Sequence, residues 1–424
     1  MECTVVLHEA HGLCLWASVM KYVIIIPDGG ADHPLKELEG QTAFEAAVIP
    51  YTDRISIEGR QGTAVTTPAG FPCGSDVCSL CLLGYDPVRY HKGRAPLEAE
   101  ALGLQMSPSD WVFRINLITV VDGGFADHSA GAIPSEEGAQ LLADVSCELN
   151  LPDQRLDLFP GVSYRNIMID RSGERNWSAL ETTPPHDVPG QVVCRHMPTG
   201  CPDAQVLCDL ITNSAAVLAE HPINRARRDN GQLPATHLWP WGQGRRPQMD
   251  SFESRFRLRG AIITAVDLLA GIAGFIGWDR LDVPGQSSYH EQNDYAAAAQ
   301  HAIDALDRYD IVCAHFECPD EASHAADAAT KVKSIEAIDQ HVVSPMLEHL
   351  HQRGEPWRVL YLPDHYTSVA TRKHDDTPVP LAMCGHRITS VLQKPFNEHN
   401  SDESDMHIEY GHELMEYFLR GSQA

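Results

Sequence analysis

Short β-branched runs punctuate both ends of the chain, and each one stops against polar residues. Tyr22 to Ile26 (YVIII) leads into Asp28, Ile311 to Phe316 (IVCAHF) leads to Asp320 and His324, and Val359 to Leu362 leads to Asp364 and His365, with His374 nine residues later. Apolar runs of this length bounded by turn residues read as buried strands. Between them, Thr42 to Val48, Asp76 to Leu83, Gly260 to Ala273 and Tyr295 to Leu306 carry helical patterns. Strands alternating with helices predict an α/β fold, and in open α/β sheets ligands bind past the carboxyl ends of the strands.

The middle of the chain breaks this alternation. From about Val120 to Gln248 it is rich in Pro, Gly, Trp and His, with breaker clusters such as Thr183-Pro-Pro-His-Asp187 and Trp239-Pro-Trp-Gly242. Such punctuation marks a loop-rich insertion. We therefore expect one α/β domain made of residues 20–119 and 249–424, an inserted α+β domain over 120–248, and a disordered or over-long extension over 1–19. That extension lacks a basic segment and makes a poor signal peptide.

Composition narrows the classes. With 32 basic and 58 acidic residues the net charge is -26, which disfavours nucleic acid as a partner, because phosphate contacts need a basic face. No stretch approaches the ~18 apolar residues of a membrane span, so a cytoplasmic protein is expected. Twelve cysteines in 424 residues suit cytosolic thiols rather than a disulfide framework. Cys73, Cys78 and Cys81 have the spacing of an iron-sulfur loop, yet Val77, Leu80, Cys81 and Leu83 make a simpler buried helix stripe ending at Gly84.

The residues beyond the strands carry metal chemistry. If Pro319 opens a helix, Asp320 and His324 share one face a turn apart and can grip one ion; the bland alternative is a capping aspartate beside an exposed histidine. Asp364-His365 is aimed at the sheet rim, with an ordinary turn as its alternative. Asp28-Gly29 is a strand-to-turn junction at which glycine permits positive φ or close approach. Ser75 follows the breaker run Pro72-Cys73-Gly74 and precedes a helix, so it is an N-cap serine or a phosphate-bearing nucleophile. A hydroxyl is a weak nucleophile until a cation or base lowers its pKa. A mixed Asp/His set suits Mn, Zn or Mg better than calcium or copper.

The motifs Pro-Asp28-Gly, Pro-Cys-Gly-Ser75-Asp, Leu-Gly-Tyr85-Asp-Pro, Gly-Arg94-Ala-Pro-Leu-Glu, Asp320-Glu-Ala-Ser-His324, Asp364-His365 and His374-Asp-Asp-Thr-Pro-Val-Pro together resemble the cofactor-independent phosphoglycerate mutases of archaeal type, in the alkaline phosphatase superfamily. The resemblance runs from Met20 to about Leu419. It implies a three-layer αβα domain with a cap, and interconversion of 3- and 2-phosphoglycerate through a phosphorylated serine at a two-metal site. It assigns Asp320, His324 and His374 to one divalent ion (Mn, Mg or Zn), and Asp28, Asp364, His365 and Ser75 to the other, with Ser75 as nucleophile. Arg114, Asn116, Asp127, His128, Arg165 and Arg225 become candidates for holding a small phosphorylated substrate. The middle segment also resembles a bacterial branch proposed to phosphorylate homoserine, and His128-Ser129 replaces arginines common in archaeal mutases. A homoserine kinase-like phosphotransferase and a metal-dependent phosphatase therefore stand as alternatives, although no Gly-x4-Gly-Lys-Ser/Thr nucleotide loop is present.

Overall fold

The computed structural model describes residues 20–421, and the 1–19 extension lies outside the described residues. The chain separates into two compact units, one comprising the described residues up to His91 together with those from Met249 onward, the other running from Lys92 to Gln248. The first break falls earlier than the residue-120 boundary read from the sequence. Strand Trp111–Val121, which looks like the last strand of the first half, finds its partners at Gly124–Asp127, Arg165–Asp170 and His237–Arg245, all in the second unit.

The first unit is built on an eight-stranded sheet in the order His407–Ile408, Arg60–Ala64, Val379–Gly385, Trp357–Tyr361, Lys21–Pro27, Ile311–Phe316, Gly260–Ile263, Asp279–Arg280. The last five run parallel, and Val379–Gly385 is antiparallel to both its neighbours. The three apolar runs noted above are the adjacent central strands. Val23, Ile24, Ile25 and Ile26 are buried on both faces, as continuous apolar strands in parallel sheets are. Their carboxyl ends therefore open on one rim, and the ligands they carry are brought together by strand order alone.

One expected helix dissolves. Within Gly260 to Ala273, Gly260–Ile263 is a strand and the helix is Asp267–Phe275. All four strand residues are buried, so the local apolar run carries no periodicity to separate strand from helix. Gly260 admits the indole of Trp278, where a Cβ would lie 2.2 Å from Trp278 Nε1.

The second unit is a five-stranded antiparallel sheet around Trp111–Val121. Alternation along that strand sorts its faces. Phe113, Ile115 and Leu117 enter a core with Leu141, Leu142 and Val145 of helix Ser135–Glu148 and Leu207 and Leu210 of helix Ala204–Ala219. Val112 on the other face packs with Ala95 and Ala99 of helix Ala95–Ala101, and Arg114 and Asn116 share that second face by period two.

Candidate metal centre

Asp28 follows Pro27 directly, and its N–H donates to Phe316 O at 2.9 Å, carrying the sheet ladder one position past the strand. Gly29 then turns left-handed at φ 59°, where a Cβ would sit 2.5 Å from both Asp320 Oδ1 and Thr367 Oγ1. Only glycine fits so close an approach. Its N–H donates to Asp364 Oδ1 at 3.2 Å, tying two rim loops together.

Asp320 and His324 lie one turn apart on helix Cys318–His324, with Pro319 in its first turn. His324 Nε2 is 3.2 Å from Asp320 Oδ2, His374 Nε2 is 3.5 Å from Asp320 Oδ1, and the two imidazole Nε2 atoms are 3.0 Å apart. His374 is presented by a two-stranded ribbon in which it pairs with Thr367, and its ring stacks on that of His365 with centroids 4.0 Å apart. Asp364 and His365, just past strand Trp357–Tyr361, are fully buried. His365 Nε2 lies 3.3 Å from Asp28 Oδ1, 3.4 Å from Asp364 Oδ2 and 3.2 Å from Ser75 Oγ. Ser75 opens helix Ser75–Leu82 as its first residue, and Gly74 occupies the N-cap. Its hydroxyl is turned toward His365 rather than capping the helix, which corrects the N-cap alternative. The six carboxylate and imidazole residues thus form one connected cluster, and Ser75 Oγ joins it through His365.

The set suits cations. Asp28 Oδ1 and Asp364 Oδ2 are buried without a hydrogen bond, a costly state for carboxylate oxygens unless positive charge arrives. Asp320, His365 and His374 can place one ligand atom each within 4.8 Å of the others, and so can Asp28, His315 and Asp364. Burial drives Asp28 well above the usual carboxylate range, and the charges of Asp364 and Asp320 add repulsion. Burial acts in the same direction on Asp320, but hydrogen bonds with His324 and His374 outweigh it and hold that carboxyl well below the usual range. His374 is pushed up to about 9, because its contact with Asp320 overcomes the opposing effect of burial. Burial lowers His365, keeping its imidazole neutral, the form a metal takes.

Two residues here escaped the sequence reading. His315, at the penultimate position of a fully buried strand, sets Nε2 3.0 Å from Asp28 Oδ2. Its signal was an ionisable group inside an apolar run, which is rare without a partner. Thr367 Oγ1 donates to Asp320 Oδ1 at 2.5 Å and lies 3.0 Å from His365 Nδ1; a threonine two residues past a histidine gives no warning of such a role. Beneath it, the fully buried Lys331 donates to Thr367 O at 2.7 Å, Ala31 O at 3.2 Å and Asp32 Oδ2 at 3.1 Å.

Within the second unit some of the substrate candidates draw together and others do not. Register places Arg114 opposite Trp241 and Asn116 opposite Arg165. The Arg114 guanidinium stacks on Trp241 at 4.0 Å and pairs with Glu98 at 3.0 Å, while Arg165 lies over Tyr164 at 4.8 Å. His128 faces Tyr164 and His186 with centroids 5.6 and 6.1 Å away, and His186 lies against Trp241. Burial and the neighbouring Arg94 and Arg165 depress Arg114, although Glu98 opposes them, so the arginines share one field. Asn116 is occupied structurally, donating to His128 O and accepting from Trp241 Nε1. Asp127 Oδ1 ties a turn by accepting from Ser129 N, Ser129 Oγ and Gly131 N. Arg225 pairs with Glu220 on the surface at 3.1 Å.

Comparison with known proteins identifies a family. Residues 57–224 match the family described as 2,3-bisphosphoglycerate-independent phosphoglycerate mutase. A protein of that name from Methanothrix thermoacetophila is 41% identical over 402 residues, spanning 95% of this chain and 100% of its own. One from Methanothermobacter thermautotrophicus is 39% identical over 94% of this chain and 97% of its own. Among solved structures, a Pyrococcus horikoshii protein superposes with TM-score 0.79 at 26% identity over 95% of this chain and 97% of its own. A cofactor-independent phosphoglycerate mutase from Thermoplasma acidophilum shares the fold with TM-score 0.65 over 95% and 99% of the two chains. The chain belongs to the 2,3-bisphosphoglycerate-independent phosphoglycerate mutase family.

Proposed function

We propose that this protein interconverts 3- and 2-phosphoglycerate by passing the phosphoryl group through Ser75. The observation that carries the reading is the position of Ser75 Oγ, 3.2 Å from His365 Nε2 at the meeting point of buried carboxylates and imidazoles. Asp320, His324 and His374 would hold one divalent ion, and Asp28, Asp364, His365 and Ser75 the other, with manganese, magnesium or zinc fitting the donor set. Bound there, the ions would lower the pKa of the serine hydroxyl and neutralise phosphoryl charge. Ser75 Oγ, giving up its proton, attacks phosphorus as the bond to the 3-oxygen breaks and that oxygen leaves as a hydroxyl. Glycerate turns, and its 2-hydroxyl loses its proton and attacks the phosphoserine, breaking the P–Oγ bond and regenerating the Ser75 hydroxyl.

The rest of the chemistry belongs to the second unit, residues 92–248, acting as a cap. Its task is to keep water from phosphoserine. Arg114, Arg165 and His128 hold the substrate carboxylate and phosphate, since they gather on one face, whereas Asn116, Asp127 and Arg225 are engaged with partners of their own. The work is placed in the cytoplasm, in keeping with the ten described cysteines being free thiols. No described helix is long and apolar enough to cross a membrane. The mutase reading is favoured over the homoserine kinase-like and phosphatase readings by relatives 39–41% identical across nearly the whole chain.

The test is turnover with manganese alone. Protein supplied with Mn2+ and 3-phosphoglycerate, without ATP or bisphosphoglycerate, yields 2-phosphoglycerate, and Ser75→Ala abolishes it. Inorganic phosphate as the main product, or turnover that requires a phosphoryl donor, would reject the mutase.

A further inference from the structure

His315 and His365 flank Asp28 from opposite sides, and each rests its Nδ1 on a buried threonine. The two threonines are not equivalent. A hydroxyl has one hydrogen to give and lone pairs to receive with. Thr367 gives its hydrogen to Asp320 Oδ1 at 2.5 Å, the length of a charge-assisted O–H···O bond. Its 3.0 Å contact with His365 Nδ1 can then be made only if that nitrogen carries the hydrogen. Nε2 of His365 is left bare, facing Ser75 Oγ, Asp28 Oδ1 and Asp364 Oδ2.

At the other side the order reverses. Thr264 Oγ1 receives the Val266 N–H at 3.0 Å, and among its described contacts the acceptor within reach of its own hydrogen is His315 Nδ1 at 3.1 Å. His315 Nε2 therefore carries a hydrogen and donates it to Asp28 Oδ2 at 3.0 Å. We infer that Thr367 and Thr264 fix opposite imidazole tautomers, making His365 a ligand and His315 a positioning residue that holds one Asp28 oxygen so that the other faces the centre. Of the group Asp28, His315 and Asp364, only the carboxylates are then free to bind a cation, and His365 supplies the nitrogen. Outer partners of this kind orient ligands and set their tautomer.

The inference rests on the metal-centre reading, and its test needs no turnover. Full-length protein with 15N-labelled histidine is examined metal-free by two-bond nitrogen-proton correlation. The expected pattern is one buried histidine protonated at Nδ1, altered in Thr367→Val and restored in Thr367→Ser, and one protonated at Nε2, altered in Thr264→Val. Titration with Zn2+ alone shifts His365 Nε2 and leaves the His315 Nε2–H in place, and calorimetry gives Zn2+ binding ~10–100-fold weaker in Thr367→Val with recovery in Thr367→Ser. A bare or zinc-shifted His315 Nε2, a His365 protonated at Nε2, or wild-type zinc affinity in Thr367→Val would overturn it. The expected tautomers in a protein without mutase activity would uphold this inference and reject the phosphotransfer reading; wrong tautomers in an active mutase would do the reverse.

Discussion

Asp364 and His365 sit fully buried at the end of a central strand, while Arg165 projects exposed from the second unit's sheet, where Arg114 lies against Trp241 beside it. The two regions hold charged groups by different means. At the rim, backbone order delivers each ligand, and the loops are locked by Gly29 N–H to Asp364 and by Lys331 to Thr367. In the second unit, Arg114 is held against its cross-strand neighbour Trp241 and paired with Glu98 away from water, whereas Arg165 lies over the adjacent Tyr164 and is exposed. Buried, unpaired acids require cations to be tolerable, whereas an exposed arginine stacked on a ring, as Arg165 is, keeps its charge available to an anion. On the reading proposed here, the first region serves metal ions and the second a small acid.

Breaking the rim should cost most. Gly29→Ala places a methyl against Asp320 and Thr367, and we expect metal binding and turnover to fall together, by at least ~10³-fold in kcat/KM, as loss of a group central to the chemistry does. Calorimetry beside a steady-state assay checks this. Lys331→Met should act on the same region through stability. It leaves Asp32 buried without its cation, and removing one member of a buried pair costs about 3–5 kcal/mol. Denaturant unfolding measures that loss.

The second unit should respond by smaller amounts and in binding. Arg165→Ala is expected to raise KM with little change in kcat, lowering kcat/KM about 10–100-fold, the worth of a hydrogen bond to a charged group. Arg225→Ala, with only its exposed bond to Glu220, should remain within about twofold of wild type. Equal effects of the two would erase the distinction drawn within that unit.

A pH effect separates architecture from chemistry in the first unit. Burial raises Glu398 to about 7 from 4.5, against its hydrogen bonds from Thr42 and Asp32. The folded state therefore binds a proton that the unfolded chain has released between these values, so stability falls as pH rises from about 4.5 to about 7. Glu398→Gln should flatten that slope, by up to about one proton, in unfolding curves taken across the window.

Sequence reading served the two regions unequally. Asp28, Asp320, Asp364 and His365 were legible because each stands just past an apolar run, and parallel sheets expose that end. His374 gained weight only from the others. His315 and Thr367 stayed hidden because their roles arise from contacts between segments 287 and 47 residues apart in the chain. Strand Gly260–Ile263 reads as part of a helix in the sequence because an entirely buried run has no face to alternate. In the second unit, Arg114 and Arg165 looked like any arginines. What distinguishes them from Arg225 is the register that sets Arg114 against Trp241 and Arg165 beside Asn116, and antiparallel register is fixed by tertiary packing rather than by local pattern.

The most direct test of the central claim is to quench the manganese-loaded enzyme during turnover of 3-phosphoglycerate and map phosphate on the chain by mass spectrometry. The account predicts a phosphate on Ser75, absent from Asp364→Asn protein that remains folded. Phosphate on another side chain, or full turnover in Ser75→Ala, would contradict it.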